Sequence, residues 1–69
     1  MNDVIEFGNI VVTKLKEGVY GRNDIFVCLY NNMYGRIVGE RPECHDYAVR
    51  FDGLGNTLFF HEDELEVVK

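Results

Sequence analysis

Alternation is clearest in "DYAVRFD", residues 46–52, where Tyr47, Val49 and Phe51 share one face while Ala48 and Arg50 share the other. A period of two marks a half-buried antiparallel strand. "GLGN" follows as a hairpin loop of residues that tolerate positive φ, and "TLFFH" (57–61) returns as the partner strand. "FGNIVVTK" (7–14) carries β-branched residues between Gly8 and a charged stretch, and reads as the first strand. Its alternation leaves open whether Ile10 and Val12 or Val11 and Thr13 face inward. "GRIVGE" (35–40) is another compact strand, broken at "RPECH", where Pro42 holds Arg41 extended and cannot donate to a ladder. "EVV" (66–68) closes the series.

The segments between these strands read differently. "LKEGVYGRN" (15–23) has two glycines, a charged rim and no period, so it is a long loop over one end of the sheet. In "DIFVCLYNNMYG" (24–35), Phe26, Leu29, Tyr30 and Met33 fall at i, i+3, i+4 and i+7. Asn23 or Asp24 serves as N-cap, and Gly35 stands just past the end. The pattern predicts a short helical turn ending at Gly35. Ile25, Phe26, Val27 and Tyr30 are strand formers, and so short a helix is marginal in water, which leaves packing to decide how regular it is. "HEDEL" (61–65) reads as one tight helical turn with acids near its start, where the backbone dipole favours negative charge. Five short strands, one meander and no long helix predict an all-β fold: a small five-stranded antiparallel barrel with one short helical turn, its first and last strands wrapped together.

Composition adds limits. The 69 residues read as one domain, which at this length buries only about 60% of the surface its unfolded chain exposes. Its core is therefore a single layer. With 46% hydrophobic residues the composition is that of a folding chain and not of a disordered one. No apolar run approaches the roughly 18 residues of a membrane span, and "MNDVIEFG" lacks the pattern of a signal peptide. The expectation is a cytoplasmic protein without a membrane partner, in which Cys28 and Cys44 stay reduced. A net charge of −5 opposes a phosphate backbone and disfavours nucleic acid as partner. The charge is uneven, however. Lys14, Lys16, Arg22, Arg36, Arg41 and Arg50 precede an acidic end containing Glu62, Asp63, Glu64 and Glu66, so a local basic face is open.

The candidate chemistry is thin. Cys28, Cys44, His45 and His61 contain only one close pair, Cys44 with His45, whereas structural zinc sites bring ligands in spaced pairs. Neither metal nor cofactor is expected; Cys28 reads as a buried small hydrophobe and Cys44 with His45 as loop residues. Neighbours in extended chain point to opposite faces, so Cys44 and His45 do not form a nucleophile and base. Glu40, Glu43, Asp46 and Asp52 read as solvated turn residues, and the acids of "HEDELE" as ordinary for an acidic domain. "GVYG" and "GLGN" lack the spacing and the Lys-Ser/Thr that grip phosphate, so they read as turns. The expectation is a protein that is not an enzyme.

The rings are more informative. A barrel of this size cannot enclose Tyr20, Phe26, Tyr30, Tyr34, Tyr47, Phe51, Phe59 and Phe60 together. Tyr47, Phe51 and one of Phe59 and Phe60 are assigned to the core. Tyr20, Tyr30 and Tyr34, beside Arg22 and Arg36, are assigned to the surface, a Tyr and Arg composition that interface hot spots favour.

Five stretches, "FGNIV", "VYGRN", "MYGRIVG", "YAVRFD" and "LFFHEDELEVV", carry a resemblance over nearly the whole chain. Together they resemble the small SH3-like barrel proteins, in the KOW and Tudor style, of bacteriophages, prophages and Gram-positive bacteria. That resemblance implies an SH3-like barrel and a phage or prophage accessory protein acting on a host or virion protein. With no Trp, the chain departs from peptide-binding signalling SH3 domains, so proline-rich ligands are not expected. The expectation is a non-catalytic interaction module that docks a protein partner through Tyr20, Arg22, Tyr30, Tyr34 and Arg36. A nucleic-acid-binding barrel, with tyrosines stacking bases, is the alternative.

Overall fold

The structure is a computed structural model that describes residues 5–68. Five strands, β1 (Ile10–Thr13), β2 (Tyr34–Arg41), β3 (Asp46–Phe51), β4 (Thr57–His61) and β5 (Leu65–Val67), form one antiparallel sheet in the order β4-β3-β2-β1-β5. One helix, α1 (Asp24–Tyr30), and three single 3₁₀ turns complete the described chain. The mostly β, five-stranded antiparallel reading holds. The sheet is not closed, because its edge strands β4 and β5 do not pair with each other. Among the described residues no helix is long and apolar enough to cross a membrane.

The hairpin of β3 and β4 follows the pattern closely, with Tyr47 opposite Phe60, Val49 opposite Leu58 and Arg50 opposite Thr57. Strand β2 extends beyond its expected span at both ends, to include Tyr34 and Arg41. The helix therefore stops earlier than its apolar period suggested, at Tyr30. Asn23 caps it by accepting the Phe26 N–H at 2.8 Å, and Asn31, back in extended geometry, ends it. Phe26, Val27 and Tyr30 pack on the core, whereas Leu29, expected inward, is 61% exposed. Cys28 is also exposed, against expectation, because it lies on that outward side of α1.

Gly35 is needed for space rather than for a cap. A Cβ built there would sit 2.5 Å from Val49 Cγ1 and 3.0 Å from the Arg50 carbonyl oxygen, so only glycine allows β2 to lie this close to β3. Further along, the ladder slips between Ile37 and Gly39, a bulge that bends the strand at Val38.

On β1 the inward pair is Val11 and Thr13, both fully buried, while Ile10 faces out. Thr13 does what an aliphatic residue could not. Its hydroxyl donates to the Tyr30 carbonyl and accepts the Met33 N–H at 3.0 Å, and the Leu15 N–H donates to Asn31 Oδ1 at 2.7 Å. These bonds satisfy backbone groups at the end of α1 and fasten it to β1.

Val11, Leu15, Ile37, Val49, Phe51 and Phe60 form the core. Phe60, not Phe59, is the ring of that pair that is buried, and it meets Phe51 edge to face at 5.7 Å. Tyr47 is half-buried at the core's margin. Ala48, on the same side of β3 as Arg50, is nonetheless buried.

Candidate functional site

The five residues expected to form one contact face lie in two places, and three of them are committed to the fold. Tyr20 sits in the 3₁₀ turn Val19–Gly21 at φ 53, a left-handed conformation that is rare for an aromatic residue. Two contacts hold it there. Its ring stacks on His61 at 4.2 Å between centroids, and its hydroxyl donates to Asp63 Oδ2 at 2.8 Å. The hydrogen bond to the Asp63 carboxylate, helped by desolvation and neighbouring acids, holds the Tyr20 pKa above its ordinary value.

Arg22 is structural. Its Nε and Nη2 grip both carboxylate oxygens of buried Glu64, and Nη2 also donates to the Phe59 carbonyl oxygen at 3.1 Å. The guanidinium lies over Phe26 and Phe60, 4.6 and 5.0 Å from the ring centroids. Glu64 Oε1 also accepts the His61 N–H at 3.0 Å, while His61 Nδ1 accepts the Asp63 N–H. This reciprocal cap forms the 3₁₀ turn Glu62–Glu64 and ties the "HEDEL" acids to the long β1–β2 connection. Tyr30, assigned to the surface from sequence, is half-buried, with its ring 4.7 Å from Phe26 and 6.0 Å from Phe51.

Tyr34 and Arg36 are the two that remain available. Both project from the outer side of β2, and Tyr34 is 63% exposed. Register places Arg36 directly opposite Arg50 on β3 and opposite Ile10 on β1. Of the four arginines, Arg22 and Arg41 are ion-paired, the latter with Asp46 at 2.6 Å and over the Phe59 ring. Arg36 and Arg50 have no ion pair among the described residues. Phe7, 78% exposed, joins them around an open groove of about 640 Å³.

Sequence reasoning left Arg50 and Phe7 out of the set. Arg50 was visible as an outward residue of β3, but its opposition to Arg36 depends on a register that only the fold provides. The exposure of Phe7 had no signal in the apolar pattern.

Compared with known protein families, curated proteins and solved structures, the chain finds no match.

Cys28 and Cys44 are free thiols, and no group of three or more His, Cys, Asp or Glu positioned for a metal ion occurs among the described residues. His45 and His61 approach to 6.4 Å between ring centroids, but His61 is engaged with Tyr20 and Asp63. Burial, with Glu40 and Glu62 nearby, raises the Tyr47 pKa above its ordinary value. The outer face of β2 and β3 presents two cationic forks, with exposed rings close by.

Proposed function

We propose that the chain is a non-catalytic protein-interaction module, an SH3-like barrel in the KOW and Tudor style, that docks a protein partner on the outer face of β2 and β3. The observation that carries this reading is the cross-strand pair Arg36 and Arg50, which form no ion pair among the described residues and lie on the same face as exposed Tyr34 and near exposed Phe7. Like charges directly opposite each other weaken a sheet by roughly 0.2–1 kcal/mol. A partner carboxylate turns that cost into attraction. Tyrosine and arginine are also the side chains most enriched where binding energy concentrates.

Support for the barrel reading comes from the strand order β4-β3-β2-β1-β5 and the single 3₁₀ turn linking β4 to β5. The resemblance, rather than any contact, points to host or virion machinery as the source of the partner.

Nucleic acid is the weaker reading. Exposed rings beside arginines can stack bases, but affinity for a phosphate backbone grows with the number of cations placed along it, and here two arginines stand on a protein of net charge −5.

The test is capture on immobilised protein, followed by rebinding of the purified candidate to the wild type and to a folded Tyr34→Ala/Arg36→Ala variant. Direct rebinding that the double variant loses supports the module reading. Rebinding that ignores both substitutions, or capture of nucleic acid alone with a steep salt dependence, overturns it.

A further inference from the structure

The groove beside the outer face is specific enough to indicate what part of a partner enters it. Arg36, Arg50 and Asp52 supply its charged lining, Phe7 and Val38 part of its apolar lining, and Gly53 of the β3–β4 loop also borders it. We propose that this groove binds a short linear peptide segment, with one carboxylate held between Arg36 and Arg50 and a neighbouring apolar side chain laid against Phe7. The proposal rests on the protein-interaction reading and names the partner's chemistry.

Charge selects a single carboxylate. Two guanidiniums and the Asp52 carboxylate leave the groove with one net positive charge, which complements one acidic side chain. A run of phosphates meets Asp52 at the site and the acidic remainder of the protein beyond it. The cross-strand register supports the same choice. Directly opposed residues of an antiparallel pair hold their Cβ atoms roughly 4.5–5.5 Å apart, so the forks of Arg36 and Arg50 can converge on one anion.

The apolar part of the ligand follows from Phe7. Phe7 is 78% exposed, which leaves its ring open to an apolar side chain of a ligand. Phe7 also lines a second cavity of about 260 Å³ with Ile5, Tyr47 and the acids Glu6 and Glu40, so apolar surface and two carboxylates adjoin the groove on that side. A volume of about 640 Å³ lies within the roughly 300–1,000 Å³ usual for ligand sites, enough for a few side chains and too small for a folded domain.

The experiment titrates the isotope-labelled full chain with a capped Ser-Leu-Glu-Phe-Ser-Gly hexapeptide, its Glu-to-Gln analogue and a six-nucleotide oligothymidine. Amide and arginine side-chain resonances report where each binds. The expected result is a shift at Phe7, Arg36, Arg50 and Gly53 with the Glu peptide, about tenfold weaker with the Gln analogue and about tenfold weaker in a folded Arg50→Gln variant. Equal binding of the two peptides, shifts confined to other surfaces, or preference for the oligonucleotide overturns the proposal. If the peptide fails while a captured protein still depends on Tyr34, the groove assignment falls and the module reading stands. If the peptide binds as expected and no protein partner rebinds, the groove stands and the module reading falls.

Discussion

Arg22 grips Glu64 with two parallel hydrogen bonds, 2.9 Å from Nε and 2.8 Å from Nη2, joining the loop before α1 to the turn before β5. The carboxylate is almost wholly shielded from water, and the guanidinium nearly so. Removing one partner strands the other charge, so Arg22→Ala lowers unfolding stability by about 3–5 kcal/mol, close to the whole stability of a small domain. Arg22→Lys rescues little, since an ammonium lacks the planar fork that meets both oxygens and covers Phe26 and Phe60. An Arg22→Met/Glu64→Leu double variant recovers most of the loss. Urea unfolding of the four proteins checks the ranking.

Thr13 is the second structural hub outside the hydrocarbon core. Thr13→Val keeps the shape but leaves the Met33 N–H and the Tyr30 carbonyl without the hydroxyl, at a cost of about 1–3 kcal/mol. Thr13→Ser retains the bonds and loses only a methyl. A urea midpoint for Thr13→Ser that falls as far as that for Thr13→Val would contradict this assignment.

Gly35→Ala forces a methyl against Val49 and the Arg50 carbonyl. Overpacking of this kind costs about 1–3 kcal/mol, because β2 has to move away from β3. Thermal unfolding reads it directly. A companion Gly39→Ala change meets only Ala48, at 3.5 Å, and is expected to be much milder.

Tyr20 has a pH signature. The hydrogen bond to Asp63 favours the neutral phenol, so its folded pKa lies above the unfolded one. The stability it contributes is complete below about pH 10 and disappears as pH rises through the folded value. Asp63→Asn removes the largest cause of the shift. Absorbance titration of the phenols, with Tyr20→Phe to identify the signal, is expected to show Tyr20 ionising at lower pH in Asp63→Asn than in the wild type.

The outer face behaves in the opposite way to Arg22. Tyr34→Ala leaves stability within about 0.5 kcal/mol, as expected for surface positions. Arg50→Gln raises it by a few tenths of a kcal/mol at low salt, through relief of repulsion from Arg36, and the gain shrinks as salt is added. A large loss of stability in either variant would show that these side chains serve the fold.

What the amino-acid pattern revealed was local. Tyr47, Val49 and Phe51 alternate around a core that needs them, "GLGN" supplies the turn, and Asn23 caps the helix from three residues away. Non-local relationships stayed hidden. Glu64 lies 42 positions beyond Arg22, and nothing near either residue marks the other as its partner. Leu29 faces out against expectation because α1 is too short for a full apolar stripe and rests on the core through Phe26, Val27 and Tyr30. The candidate face was legible as a composition of Tyr and Arg but not as a constellation. Register sets Arg36 against Arg50, and burial withdraws Tyr30 and Arg22 from contact with a partner.

Strand β1 lies between β2 and β5, with Val11 opposite both Gly35 and Val67. A ribosome therefore releases the first strand long before its second neighbour exists. Until Leu65 and Val67 emerge, one ladder edge of β1 has no complement, and closing it requires a loop that spans almost everything made in between. Completion of this sheet waits until residues 65–67 have been made, and a nascent chain stalled before residue 65 presents an open edge to whatever chaperone or neighbouring chain is near.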